Sequence, residues 1–146
     1  MATTTATITI ASSDIADNAI SVSNTSTLYT AGTNTGITET TGLGRKKFAS
    51  SSNIVLLDGG LTSGIAADVT ADKSAKVYIK NHNDRGDGTK FVTLETGNNS
   101  GTPVEIGRLY GGDWAFFPFD GGTNKDLILD PYDATATTLE YVIFYE

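Results

Sequence analysis

The chain has 146 residues and a formal net charge of −7, enough length for one domain with a sizeable core and the wrong sign for a phosphate backbone, whose affinity comes from Lys and Arg displacing counterions. It contains no cysteine, which excludes disulfides, thiolate chemistry and Cys-based zinc sites and leaves the fold to stand on packing or association. Thr, Ser, Gly and Asn in excess, beside Val, Ile, Leu, Tyr and Phe, favour strands and turns over helices.

The opening MATTTATITIASS has neither a basic n-region nor a continuous apolar h-region, and no run of about 18 apolar residues follows, so a soluble chain without a cleaved leader is expected. TATITIA alternates Ala6, Ile8 and Ile10 with threonines, the period of a strand that buries one face. SSDIADN predicts a turn or one helical turn, after which AISVS and TLY resume the extended pattern with Ile20 and Val22 on one face. Residues 30–53 are rich in Thr, Gly and Ser with only isolated apolar positions, and read as a long loop or arm. NIVLLDGG reads as a strand buried on both faces, and SGIAADVTADKSA as a turn region in which Thr70 or Asp72 caps one helical turn.

Further on, KVYIKN sets Val77 and Ile79 against Lys76, Tyr78 and Lys80, and FVTLE predicts its hairpin partner across the NHNDRGDGT loop. GNNSG turns into the strand TPVEIGRLY, GGDWAFFPF is another strand, and LIL is a short one bounded by DGGTNKD and DPYD. The closing strand alternates Leu139, Tyr141, Ile143 and Tyr145 with Glu140, Val142 and Phe144. Turn signals recur every ~8–12 residues through the second half, the spacing of antiparallel sandwiches and barrels. The expected fold is a single all-β domain over residues 1–146, an antiparallel β-sandwich or jelly-roll-like barrel.

The densest chemistry lies in EIGRLYGGDWAFFPFDGG. Trp114 and Phe116 point one way in an extended chain while Ala115, Phe117 and Phe119 point the other, so both faces are bulky and apolar. Pro118 lacks the amide an interior ladder needs and pushes the segment towards an edge, a bulge or a subunit boundary. A ribbon hidden in the core or an oligomer interface is the leading expectation; a sugar or base platform would add polar groups, for which Asp113 and Arg108 are candidates.

Other signals are weaker. Asp84–Gly88 contains the Arg-Gly-Asp tripeptide known from integrin ligands, in residue types that also make an ordinary hairpin tip. Asn81, Asn83, Asp84 and Asp87, or Asp120, Asn124 and Asp126, offer oxygens to calcium, but neither set fits an EF-hand, so no metal or cofactor is expected. His82, the single histidine, sits in a loop without an identifiable partner, and no G-x-S-x-G elbow is present, so neither a general base nor a catalytic residue is expected. GRKKF gathers Arg45, Lys46 and Lys47 in an otherwise acidic chain, either as a solvated loop or as an adhesive patch for an acidic surface with Phe48 as apolar anchor. The interface set is therefore Arg45, Lys46, Lys47, Phe48, Tyr110, Trp114, Phe116, Phe117, Phe119 and Tyr145.

At TADKSAKVYIKN, EIGRLYGGDWAFFPF and TLEYVIFYE, and in the Thr-rich start followed by TTGLGRKK, the chain resembles small virion structural proteins of marine tailed bacteriophages, cyanophages in particular. The resemblance covers most of the chain as an ordered pattern, and NHNDRGDGTKFVTLETGNNSGTP is longer than the matching region. It implies a non-enzymatic structural protein, a capsid decoration or cement protein or a small head- or tail-surface component. Such a protein is made in the host bacterial cytoplasm and carried on the virion. The implied partners are copies of itself, as in a trimer, and the major capsid protein or another virion component; neither nucleic acid nor membrane is implied. The competing reading is a carbohydrate- or receptor-binding module of a tail or head fibre, using the NHNDRGDG loop with Trp114 or Tyr110.

Overall fold

The computed structural model describes residues 3–14, 19–48, 53–59, 67–69, 74–98, 101–120, 125–132 and 137–145. Among them every regular element is a strand: β1 (Thr5–Ser12), β2 (Ile20–Thr27), β3 (Glu39–Thr40), β4 (Gly44–Phe48), β5 (Ile54–Gly59), β6 (Ala67–Val69), β7 (Ser74–Asn81), β8 (Val92–Gly97), β9 (Val104–Leu109), β10 (Trp114–Asp120), β11 (Asp126–Pro131) and β12 (Thr137–Tyr145). The chain divides into two compact units, Met1–Thr38 and Glu39–Glu146.

The first unit is a two-stranded antiparallel ribbon with an unbroken register from Thr5↔Thr27 to Ser12↔Ile20. Period-two alternation puts Ala6, Ile8, Ile10, Ile20 and Val22 on one face together with Ser12, Asn24 and Ser26, and mostly threonines and serines on the other, where Thr7 and Thr25 share a 2.8 Å hydroxyl bond. Beyond β2 the Thr30–Thr35 turn returns through a Tyr29↔Gly36 bridge, and Ile37 N–H donates to Leu28 O at 3.0 Å. Leu28 and Ile37 are both buried.

The second unit is a β-sandwich. Its front sheet runs β10-β7-β12, and the far side of β12 pairs with β3 and β4; its back sheet runs β6-β5-β11-β8-β9. All pairings are antiparallel except β5 with β6. Residues of both sheets meet in one core: Ala75, Val77, Ile79, Phe119, Leu139 and Ile143 from the front, Leu56, Leu57, Val92, Leu94, Leu127 and Leu129 from the back. Packing of this kind between two inner faces is what the expected antiparallel sandwich requires, and two separate sheets form it here.

Three connections differ from expectation. β7 and β8 read as a hairpin from sequence, but they lie in different sheets, so the Asn81–Phe91 segment crosses from front to back. The segment 30–53, read as a loop or arm, carries β3 and β4, both paired with β12. Its sparse apolar residues hide this because β4 is an edge strand whose Arg45 and Lys47 face solvent while Phe48 enters the core. Ala67–Val69, in the stretch taken for a turn, is β6; the helix-cap residues expected there, Thr70 and Asp72, lie outside the described residues.

Candidate docking surface

The aromatic stretch is β10, whose one partner strand among the described residues is β7, an edge position consistent with Pro118. Ala115, Phe117 and Phe119 turn inward: Phe119 is buried in the core and the other two pack against it. Trp114, Phe116 and Pro118 turn outward, and register extends each into a row across the front sheet. One row is Trp114–Lys80–Glu140–Arg45, the next Phe116–Tyr78–Val142, and the third Pro118–Lys76–Phe144–Thr40. The result is a face of aromatic and aliphatic side chains threaded by cations, with Trp114 half open at 50% exposure.

Arg45, Lys47, Lys76 and Lys80 share this face with two carboxylates, Glu140 and, at the end of β10, Asp120, which pairs with Lys125, within a chain of net charge −7. Arg45 Nη2 lies 2.6 Å from Glu140 Oε2, His82 Nε2 lies 3.1 Å from the same oxygen, and the Tyr78 hydroxyl donates to Oε1 at 3.2 Å. The Arg45 guanidinium, then His82 and Tyr78, outweigh desolvation and hold the Glu140 carboxyl below its ordinary value. Burial, reinforced by Glu140, pushes the Tyr78 phenol up. His82, expected to stand alone, therefore has a partner in Glu140. Among the described residues Lys47, Lys76 and Lys80 form no ion pair, so the free positive charge sits on β4 and β7.

The predicted interface set is redistributed. Arg45 and Lys47 share the front face, but Lys46 points to the other side of β4, its ammonium 5.6 Å from the Phe48 ring. Phe48 is a core residue and not an apolar anchor, because period two turns it inward with Leu139 and Ile54. Phe119 is likewise a core residue, and Phe117 and Tyr145 pack against the core, so none of the three belongs to an open interface. The Trp/Phe ribbon is hidden on one side only. Tyr78, Lys76, Lys80, Val142 and Phe144 were not singled out; their alternation was visible, but which strand flanks which was not.

Tyr110 belongs to a second cluster, at the β9–β10 turn. Phe91 stacks on Tyr132 at 4.5 Å between centroids and meets Tyr110 at 5.3 Å, with the Arg108 guanidinium carbon 5.1 Å from the Phe91 centroid. Arg108 is held by a two-point pair to Glu105 at 3.0 and 3.1 Å.

The β7–β8 crossover is built, not loose. Asn81 is fully buried and its amide donates to Lys90 O at 2.9 Å and Leu109 O at 3.0 Å, while its Oδ1 accepts from Asn83 N–H at 3.0 Å. Tyr110–Asp113 is a turn closed by Asp113 N–H to Tyr110 O, with Gly112 at φ 81, where a side chain would be strained. A Cβ on Gly111 would lie 2.3 Å from Asp84 O, so only glycine lets the crossover close on the turn.

Both ends of the Arg-Gly-Asp tripeptide are engaged. Arg85 pairs with Asp113, and Asp87 accepts from the Thr89 hydroxyl and amide and pairs with Lys90, contacts that lower its pKa to about 2. Asp84 Oδ1 accepts from Gly86 N–H. Of the other oxygen set, Asp120 pairs with Lys125 and Asp126 accepts from Gly59 N–H at 3.1 Å; Asn124 lies outside the described residues.

No protein-family model and no curated protein matches this chain.

Proposed function

We propose that this chain is a non-enzymatic virion structural protein of a tailed phage, a capsid decoration or cement protein that docks through the outer face of its front sheet. The observation that carries the reading is that face itself: an edge-strand Trp114 half exposed, with Phe116, Tyr78 and Phe144 on the same face and Lys76 and Lys80 among them in no ion pair within the described residues. Aromatic-rich and positively charged in an acidic chain, it suits an acidic, partly apolar protein patch such as a major capsid protein or another virion component presents. Aromatic side chains supply most of the energy in such contacts, and opposite charges set encounter and register. Copies repeated on a lattice bind more tightly than one copy does, so modest contacts suffice.

The test is occupancy, the amount of this polypeptide retained on purified particles. Trp114→Ala, or Lys76→Glu together with Lys80→Glu, is expected to lower occupancy by roughly tenfold or more with an unchanged circular dichroism spectrum. Full occupancy with both variants would end the docking reading. The exposed ring also favours the alternative, a carbohydrate- or receptor-binding module. Trp114 emission that shifts on adding glycans, with particle occupancy untouched, would select it.

A further inference from the structure

The back sheet carries a cluster that docking through the front face does not use. One step beyond the Val92↔Pro131 and Val92↔Leu109 pairs, three adjacent segments bring Tyr132, Phe91 and Tyr110 side by side at the end of its outer face. Phe91 is only 8% exposed without belonging to the sandwich core, because Tyr132, Tyr110 and the Arg108 guanidinium pack around it. Tyr132 and Tyr110 themselves stay 63% and 40% exposed. The Tyr132 and Phe91 rings are 22° from parallel, so Phe91 backs one face of Tyr132 and leaves the other to solvent. A ring already held in place loses little freedom when a ligand stacks on it.

The adjoining row sets the chemistry of that ligand. Register places Asp130, Thr93 and Arg108 next to the rings, and Glu105 holds Arg108 through bonds of 3.0 and 3.1 Å. Arg108, which the sequence offered as a polar partner for a sugar platform at the Trp/Phe ribbon, thus stands beside these tyrosines instead. Carboxylate oxygens accept hydroxyl protons and guanidinium N–H groups donate to hydroxyl oxygens, so a polyhydroxylated molecule finds both beside an aromatic ring. The weakly positive C–H face of a pyranose matches the negative face of tyrosine. Glu95, Glu105 and Asp130 gather around the one guanidinium, a balance that repels phosphate, sulfate and uronate groups. A nucleobase could stack as well, but the phosphates it brings meet the same repulsion. We infer that this cluster is a binding site for a neutral pyranose glycan, with Tyr132 as stacking platform and Arg108, Glu105 and Asp130 as hydroxyl partners. The outer faces of a sandwich point in opposite directions, so the site stays free in a copy docked by its front sheet and rests on neither reading of Trp114.

The test titrates the full-length chain with neutral oligosaccharides of glucose, galactose, mannose and N-acetylglucosamine, beside a sulfated and a uronate-containing chain as controls. By NMR the ring signals of Tyr132 and Tyr110, assigned through Tyr132→Phe and Tyr110→Phe, are expected to shift with at least one neutral chain at up to millimolar concentration. The Trp114 indole signal is expected to stay where it is. Tyr132→Ala is expected to weaken that binding by roughly tenfold or more, whereas Tyr132→Phe, which keeps the ring, stays within about threefold of the wild type. No shift with any neutral chain, stronger binding of the sulfated or uronate chain, or full affinity in Tyr132→Ala overturns the assignment. Shifts confined to Trp114 overturn it too, and return the glycan to the front sheet.

Discussion

Asn81 is where a single residue joins three parts of the sandwich. It ends β7, and its amide reaches the carbonyls of Lys90, before β8, and of Leu109, at the end of β9, while its backbone bonds to Gly112 and Asp113 in the β9–β10 turn. Asn81 itself is fully buried, and its amide supplies a donor to each of these carbonyls. Asn81→Ala is therefore expected to cost about 2–4 kcal/mol of unfolding free energy in a denaturant titration, since buried acceptors left unpaired cost about 1–3 kcal/mol each. A loss below about 1 kcal/mol would mean that water takes over the bonds. In the sequence Asn81 was one of several loop oxygens open to a cation, because nothing local distinguishes an asparagine that binds an ion from one that pins a corner.

At the scale of elements, the two sheets carry opposite electrostatics on their outer faces. On the back sheet Glu95 of β8 lies directly opposite Glu105 of β9, with Asp130 on β11 beside them. Burial, then Asp130 and Glu105, raises the Glu95 pKa. A carboxyl whose folded pKa is raised subtracts from stability once ionised, so its cost is full above the folded pKa and disappears as pH falls below the unfolded value. Glu95→Gln is thus expected to stabilise the fold at pH 7 by about 0.5–1 kcal/mol, the size of a cross-strand pair effect. The gain should vanish near pH 4, at the ordinary glutamate range. A thermal melt series of both proteins across that range checks it; a gain independent of pH would assign the effect to packing.

For the whole molecule, every member of the core cluster falls between Phe48 and Ile143. A chain spanning residues 39–146 is expected to retain the β-sheet circular dichroism of the sandwich and unfold in one cooperative transition, with a midpoint within about 5 °C of the full chain, the shift that ~1 kcal/mol produces in a domain of this size. A gradual, non-cooperative melt would show that the first 38 residues are needed to complete the second unit.

The all-β class, the antiparallel sandwich and the two-faced character of β10 were legible in the sequence because they depend on period two, turn residues and one proline, all local properties. β4 and β6 were not, since short strands take their structure from the neighbours they pair with, β12 and β5. For the same reason the front face could not be read in advance. Trp114, Lys80, Glu140 and Arg45 form one row only because β10, β7, β12 and β4 lie side by side, and that order is set by long-range packing. Local alternation determined which side chains share a face of each strand; only the tertiary structure decided which strands share a sheet, and so which charges and rings meet.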